Sequence, residues 1–120
     1  MPLKVLVVDD SAFMRNLLKK QIVNNGAEIV GEAENGQEGI DKYFAMKPDV
    51  VFMDIMMPVM NGLDSLKNII ARDKNAKVII CTSVGQDKIV SDAVEGGASD
   101  FIVKPFNESD VTAVLKKYQV

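Results

Sequence analysis

Five short, largely apolar runs recur along the chain: Val5 to Val8, Glu28 to Val30, Val50 to Met53, Val78 to Cys81 and Phe101 to Val103. They are near-continuous rather than alternating, the pattern of strands covered on both faces, as in a parallel sheet. Between them the apolar positions take helical spacing. Phe13, Met14, Leu17, Leu18 and Ile22 form one stripe, Leu63, Leu66, Ile69 and Ile70 another, and Val111, Val114, Leu115 and Tyr118 a third. Weaker spacing predicts helices over Gly36 to Met46, through Ile40, Tyr43 and Phe44, and over Asp87 to Glu95, through Ile89, Val90, Ala93 and Val94. Ser11, Asn35 and Asn107 stand where N-caps belong, and Asn35 has Glu38 three residues on. Strict alternation with short connections implies right-handed crossovers and an α/β domain. Five such units predict a flavodoxin-like, doubly wound sheet of five parallel strands in the order 2-1-3-4-5, with five helices, spanning residues 1–120 as a single domain.

Composition narrows what such a domain can do. With 120 residues, 48% of them hydrophobic, the chain can bury a core without disulfides or structural metal. Its one cysteine, Cys81, falls in an apolar strand and reads as a small core residue, which suits a reducing, cytoplasmic setting. No run approaches a membrane span, and the first apolar run is too short for a signal peptide. A formal charge of −3 argues against nucleic acid as a partner, and Lys19-Lys20 and Lys116-Lys117 read as solvated helix faces. Histidine is absent, so any chemistry falls to carboxylates, hydroxyls and lysines.

All strands of a parallel sheet point the same way, so residues past their carboxyl ends gather on one rim, where ligands bind. Strand one ends in Asp9-Asp10, strand three in Asp54, strand four in Thr82, and strand five in Lys104-Pro105. Three carboxylates, a hydroxyl and an ammonium from four distant segments should therefore meet. Carboxylates so close repel unless a cation lies among them, and hard oxygen ligands with room for water suit Mg²⁺. Two aspartates would hold the ion while Asp54 coordinates it and attacks phosphorus, since carboxylates form aspartyl-phosphates. Lys104 would share the phosphoryl oxygens with the ion, and Thr82 would donate a hydrogen bond to one of them.

In order and spacing, Asp9-Asp10, the stretch from Asp54 to Gly62, Thr82 and Lys104-Pro105-Phe106 resemble the signature of response-regulator receiver domains, and Asp9 to Arg15 resembles those of the chemotaxis type. The resemblance covers the whole chain. It implies a phosphoacceptor switch: Asp54 phosphorylated by a histidine kinase, and Asp9, Asp10 and Asp54 on Mg²⁺ with the backbone carbonyl of Met56. It also implies Lys104 on the phosphoryl group beside a cis peptide bond to Pro105, with Thr82 and Phe101 as a switch pair. The output face would be built around Val90, Val94 and Phe101, docking a target such as a motor switch or adaptor, with a phosphatase as a further partner and the protein itself a monomer. Phe101 departs from the tyrosine of the best-known chemotaxis regulators, so a hydroxyl is lost there while ring rotation survives. Met56 and Val84, two residues beyond Asp54 and Thr82, are expected to flank the phosphoryl group. Met53 reads as strand core, and Met57 and Met60 as loop packing.

Other readings use similar parts. A phosphorelay intermediate or the receiver part of a longer regulator would carry the same residues, although an end at Val120 favours a complete single-domain protein. A haloacid-dehalogenase-like phosphatase also uses an Asp nucleophile, Mg²⁺ and a lysine, but it needs a second carboxylate where this chain has Met56, and a cap for which the chain is too short. A flavodoxin would need a Ser/Thr/Gly-rich phosphate loop after strand one, where Asp9-Asp10 would repel phosphate.

Overall fold

A computed structural model describes residues 2–83 and 87–119; the position expected for Val84 lies outside them. Among the described residues, five strands alternate with five helices: β1 (Lys4–Val8), α1 (Ala12–Asn24), β2 (Glu28–Ala33), α2 (Gly36–Met46), β3 (Val50–Asp54), α3 (Gly62–Arg72), β4 (Val78–Ser83), α4 (Asp87–Glu95), β5 (Asp100–Lys104) and α5 (Glu108–Tyr118). The strands pair in parallel in the order β2-β1-β3-β4-β5, as expected. Alternation along each central strand divides the core in two. Val5, Val7, Val50, Phe52, Ile79 and Cys81 face α1 and α5, while Leu6, Val8, Val51, Met53, Val78 and Ile80 face α2, α3 and α4. Most of these side chains have no exposed surface, and burying a residue such as Phe52 contributes about 1.5–3 kcal/mol.

Two expectations need correction. Strand two continues past Val30 to Ala33, because Gly31, Glu32 and Ala33 pair with Leu6, Val7 and Val8. The charge of Glu32 hides this in the sequence, and it is met by Lys19 at 2.7 Å and Arg15 at 3.0 Å. Phe13 and Val94, placed in apolar stripes, are 75% and 56% exposed. Phe13 sits in the first turn of α1, at the rim beyond the sheet, and α4 buries Ala93 instead of Val94.

The caps hold the helices to the rim. Ser11, Asn35 and Asn107 accept from the backbone N–H groups of Met14, Glu38 and Ser109, and Asn61 does the same for Asp64 at the start of α3. The loop between β3 and α3 is clamped from several sides. Gly62 donates its N–H to the Ile55 carbonyl at 2.8 Å, Gly36 donates to Met60 at 2.8 Å, and the buried Ser65 hydroxyl donates to the Gly36 carbonyl at 2.8 Å. A Cβ on Gly62 would lie 1.9 Å from the Asp54 carbonyl oxygen, so only glycine lets α3 start this close to the end of β3. Gly62→Ala is therefore expected to destabilise the protein by about 2–3 kcal/mol, the upper range for overpacking against backbone. Urea denaturation checks this; an unchanged midpoint would show that the loop repacks freely.

A candidate phosphoacceptor and metal site

Each strand delivers its residue to the rim with a different exposure. Asp9 follows β1, donating its N–H to the Ala33 carbonyl at 3.0 Å, and is 3% exposed, whereas Asp10 is exposed. Asp54 is the last residue of β3 and 7% exposed. Carboxylate oxygens of Asp9, Asp10 and Asp54 all lie within 4.8 Å of one another. From the edge strand β5, the Lys104 ammonium reaches over β4 to Asp9 Oδ2 at 3.0 Å and Asp54 Oδ1 at 3.1 Å. The Lys104–Pro105 peptide bond is cis. Asp54 Oδ1 also accepts the Ile55 N–H at 3.0 Å; its Oδ2 has no partner among the described residues.

The electrostatics follow from this crowding. Burial, and then the nearby Asp9 charge, push the Asp54 carboxyl above its ordinary range, against the opposing pull of Lys104. Burial alone would pull the Lys104 ammonium down, but its bonds to Asp9 and Asp54 outweigh that and raise it. The two shifts are compatible because one ammonium serves two carboxylates: the lysine gains twice, while each carboxylate has only a share of it. Three carboxylates within reach of one another form a donor set that suits a hard divalent ion, and Asp10, open to solvent, supplies room for its waters. Beneath them burial pushes the Cys81 thiol up, so it stays protonated as a core residue.

The remaining expected residues are only partly gathered here. Thr82 is buried beside Asp54, yet among the described residues its hydroxyl makes only a long 3.4 Å contact to the Ser83 carbonyl and no bond to the acidic cluster. Met56 is 68% exposed, Met53 is core, and Met57 and Met60 pack against the α2–α3 side of the core. On the far edge, Phe101 is 44% exposed, so it is not simply core; Val90 is half-buried and Val94 exposed. Sequence reasoning missed the Asn61 cap, legible as Asn61 with Asp64 three residues on, and the Gly36–Met60–Ser65 clamp, which leaves no local signal.

Comparison with known proteins identifies the family. Residues 5–116 match the response regulator receiver domain, and the chain belongs to that family. It is 53% identical over 114 residues to the chemotaxis protein CheY of Thermotoga maritima, covering 95% of each chain. It is 50% identical over 115 residues to CheY of Listeria monocytogenes, covering 96% of this chain and 97% of that one. A chain in the crystal structure of the CheX–CheY–BeF3–Mg²⁺ complex from Borrelia burgdorferi superposes with a TM-score of 0.94 at 36% identity, over 100% of this chain and 92% of that one. Within the family the protein is of the CheY type, a receiver of chemotaxis signalling that acts as a switch.

Because the Asp54 carboxyl is raised above its ordinary 3.8 in the fold, its ionisation lowers stability as pH rises through that interval. In chelator at pH 7, Asp54→Asn should therefore melt at a higher temperature than the wild type, and the gain should vanish below the ordinary carboxylate pKa, where both side chains are neutral. Melting curves against pH decide this. A lower melting temperature at pH 7 would show that Lys104 more than offsets burial.

Proposed function

We propose that the 120 residues act as one receiver domain in which Asp54 accepts a phosphoryl group from the phosphohistidine of a chemotaxis-type histidine kinase. The observation that carries this reading is the Asp54 carboxylate, held through Oδ1 by the Ile55 N–H and Lys104 while Oδ2 has no described protein partner. Asp54 would attack phosphorus through the free oxygen as the phosphorus–nitrogen bond breaks, its electron pair leaving with the imidazole. Asp9, Asp10, Asp54 and the Met56 carbonyl would hold Mg²⁺, which when bound neutralises charge on the transferring group. Lys104 would pass from its carboxylates to a phosphoryl oxygen, and Thr82, whose hydroxyl has only a weak bond to give up among the described residues, would turn toward another. A phosphatase reading of the dehalogenase kind lacks support, since an exposed thioether at Met56 supplies no general acid.

The output follows from the edge strand. Phe101 and Lys104 share β5, and Thr82 pairs with Val103 on it, so movement of Lys104 and Thr82 is transmitted to the strand that carries Phe101. The half-exposed Phe101 ring would turn inward, changing the face formed with Val90 and Val94 that docks a motor switch or adaptor in the cytoplasm. A phosphatase, or a protein resembling the CheX of the Borrelia complex, would complete the cycle, with the receiver acting as a monomer. A role as a phosphorelay intermediate or as the receiver of a longer regulator would use the same site.

Intact mass after treatment with acetyl phosphate and Mg²⁺ should show one phosphoryl adduct on wild type and none on Asp54→Asn; equal labelling of the variant sinks the assignment. Beryllofluoride with Mg²⁺ should shift the NMR resonances of Lys88 to Ile102 as well as those around Asp54. Shifts confined to the Asp54 loops would place the output on another face.

A further inference from the structure

Asp9 is fixed at every polar atom it has. Its N–H donates to Ala33, Oδ1 accepts the Ser11 N–H at 2.9 Å, Oδ2 accepts Lys104, and its backbone carbonyl accepts from Arg15 Nη1 at 2.6 Å. Arg15 stands in α1 with a side chain only 11% exposed, and it is itself held from strand β2. Nε donates to Glu32 Oε1 at 3.0 Å, and Nη2 lies 3.6 Å from Glu34 Oε1. Glu32 is anchored in turn by Lys19 at 2.7 Å, a bond that, with Arg15, holds its carboxyl below the usual range.

The Asp9 carbonyl belongs to the peptide unit that joins Asp9 to Asp10. Fixing that oxygen fixes the peptide plane, and with it the direction in which the Asp10 carboxylate leaves the backbone toward Asp9 and Asp54. A guanidinium suits the task because its planar fork can serve the carbonyl and Glu32 at once, which the point charge of a lysine does less well. Glu32 and Glu34 also offset its charge, so a cation can stand beside a cation site.

We propose that Arg15 is a positioning residue for the divalent-ion site, acting through the Asp9 carbonyl rather than by touching the ion. This rests on the reading of Asp9, Asp10 and Asp54 as that site. Positioning and simple charge predict opposite signs. A guanidinium near a dication repels it, so if charge were its whole effect, removing Arg15 would tighten Mg²⁺ binding. If Arg15 orients the ligands, removing it weakens binding by about tenfold, the lower end of what outer partners of metal ligands contribute.

Calorimetric titration of Mg²⁺ into wild type, Arg15→Met and Arg15→Lys tests this, with urea midpoints measured in chelator. A purely structural role would lower the midpoint and leave the Mg²⁺ Kd of the folded protein unchanged. The expected result is a weaker Kd in both variants, with the greater loss in Arg15→Met. If only one variant folds, its Kd alone decides. A Kd equal to or tighter than wild type overturns the proposal. If wild type fails to bind Mg²⁺, the reading of the acidic cluster fails instead.

Discussion

At the rim of the sheet a single ammonium stands between two buried carboxylates that would otherwise repel. Lys104 lies 3.0 Å from Asp9 and 3.1 Å from Asp54, and these three residues stand at the carboxyl ends of β5, β1 and β3. The sheet order places β4 between the lysine and its partners, so the contact ties the edge strand to the middle of the domain. The buried site keeps the attraction between the charges strong, and it also makes any unmatched carboxylate there expensive. Ordering of the acidic rim in the metal-free protein depends on this shared counter-ion.

The same arrangement makes the site responsive. A counter-ion divided between two carboxylates leaves each incompletely neutralised, as the raised Asp54 carboxyl reflects. A divalent ion or a phosphoryl group bound at this place would change what Lys104 is paired with, and the lysine sits three residues from Phe101 on the same edge strand. The backbone around these residues is tied down by hydrogen bonds. The loop after Asp54 is clamped by Gly36, Gly62 and Ser65, and Asp9 is bonded at its N–H, carbonyl and both carboxylate oxygens.

Much of this was legible in the chain because strand ends in a parallel sheet must converge. Asp9, Asp10, Asp54, Thr82 and Lys104 follow or close apolar runs, and their meeting place depends only on strand direction. The extents of α2 and α4 also agree with the spacing. What stayed hidden depended on contacts between distant segments. Glu32 made half of β2 look like a loop, because nothing local reveals that Arg15 and Lys19 neutralise it. Phe13 falls in the apolar stripe of α1 yet stays exposed, because spacing reports a helix face and not whether the sheet extends far enough to cover it. The closeness of Gly62 to the Asp54 carbonyl is a backbone approach that no side-chain pattern announces. The direction of the Thr82 hydroxyl, toward its own strand, likewise belongs to the folded state alone.

The most direct test of the shared counter-ion is the unfolding free energy of Lys104→Met beside wild type, measured by urea denaturation at pH 7 in chelator and again in saturating Mg²⁺. In chelator the variant should lose about 3 kcal/mol, at the low end for uncovering a buried ion pair. Saturating Mg²⁺ should recover most of that loss, because a dication bound only by the folded state restores the missing positive charge. No loss in chelator, or an equal loss with and without Mg²⁺, would contradict the account.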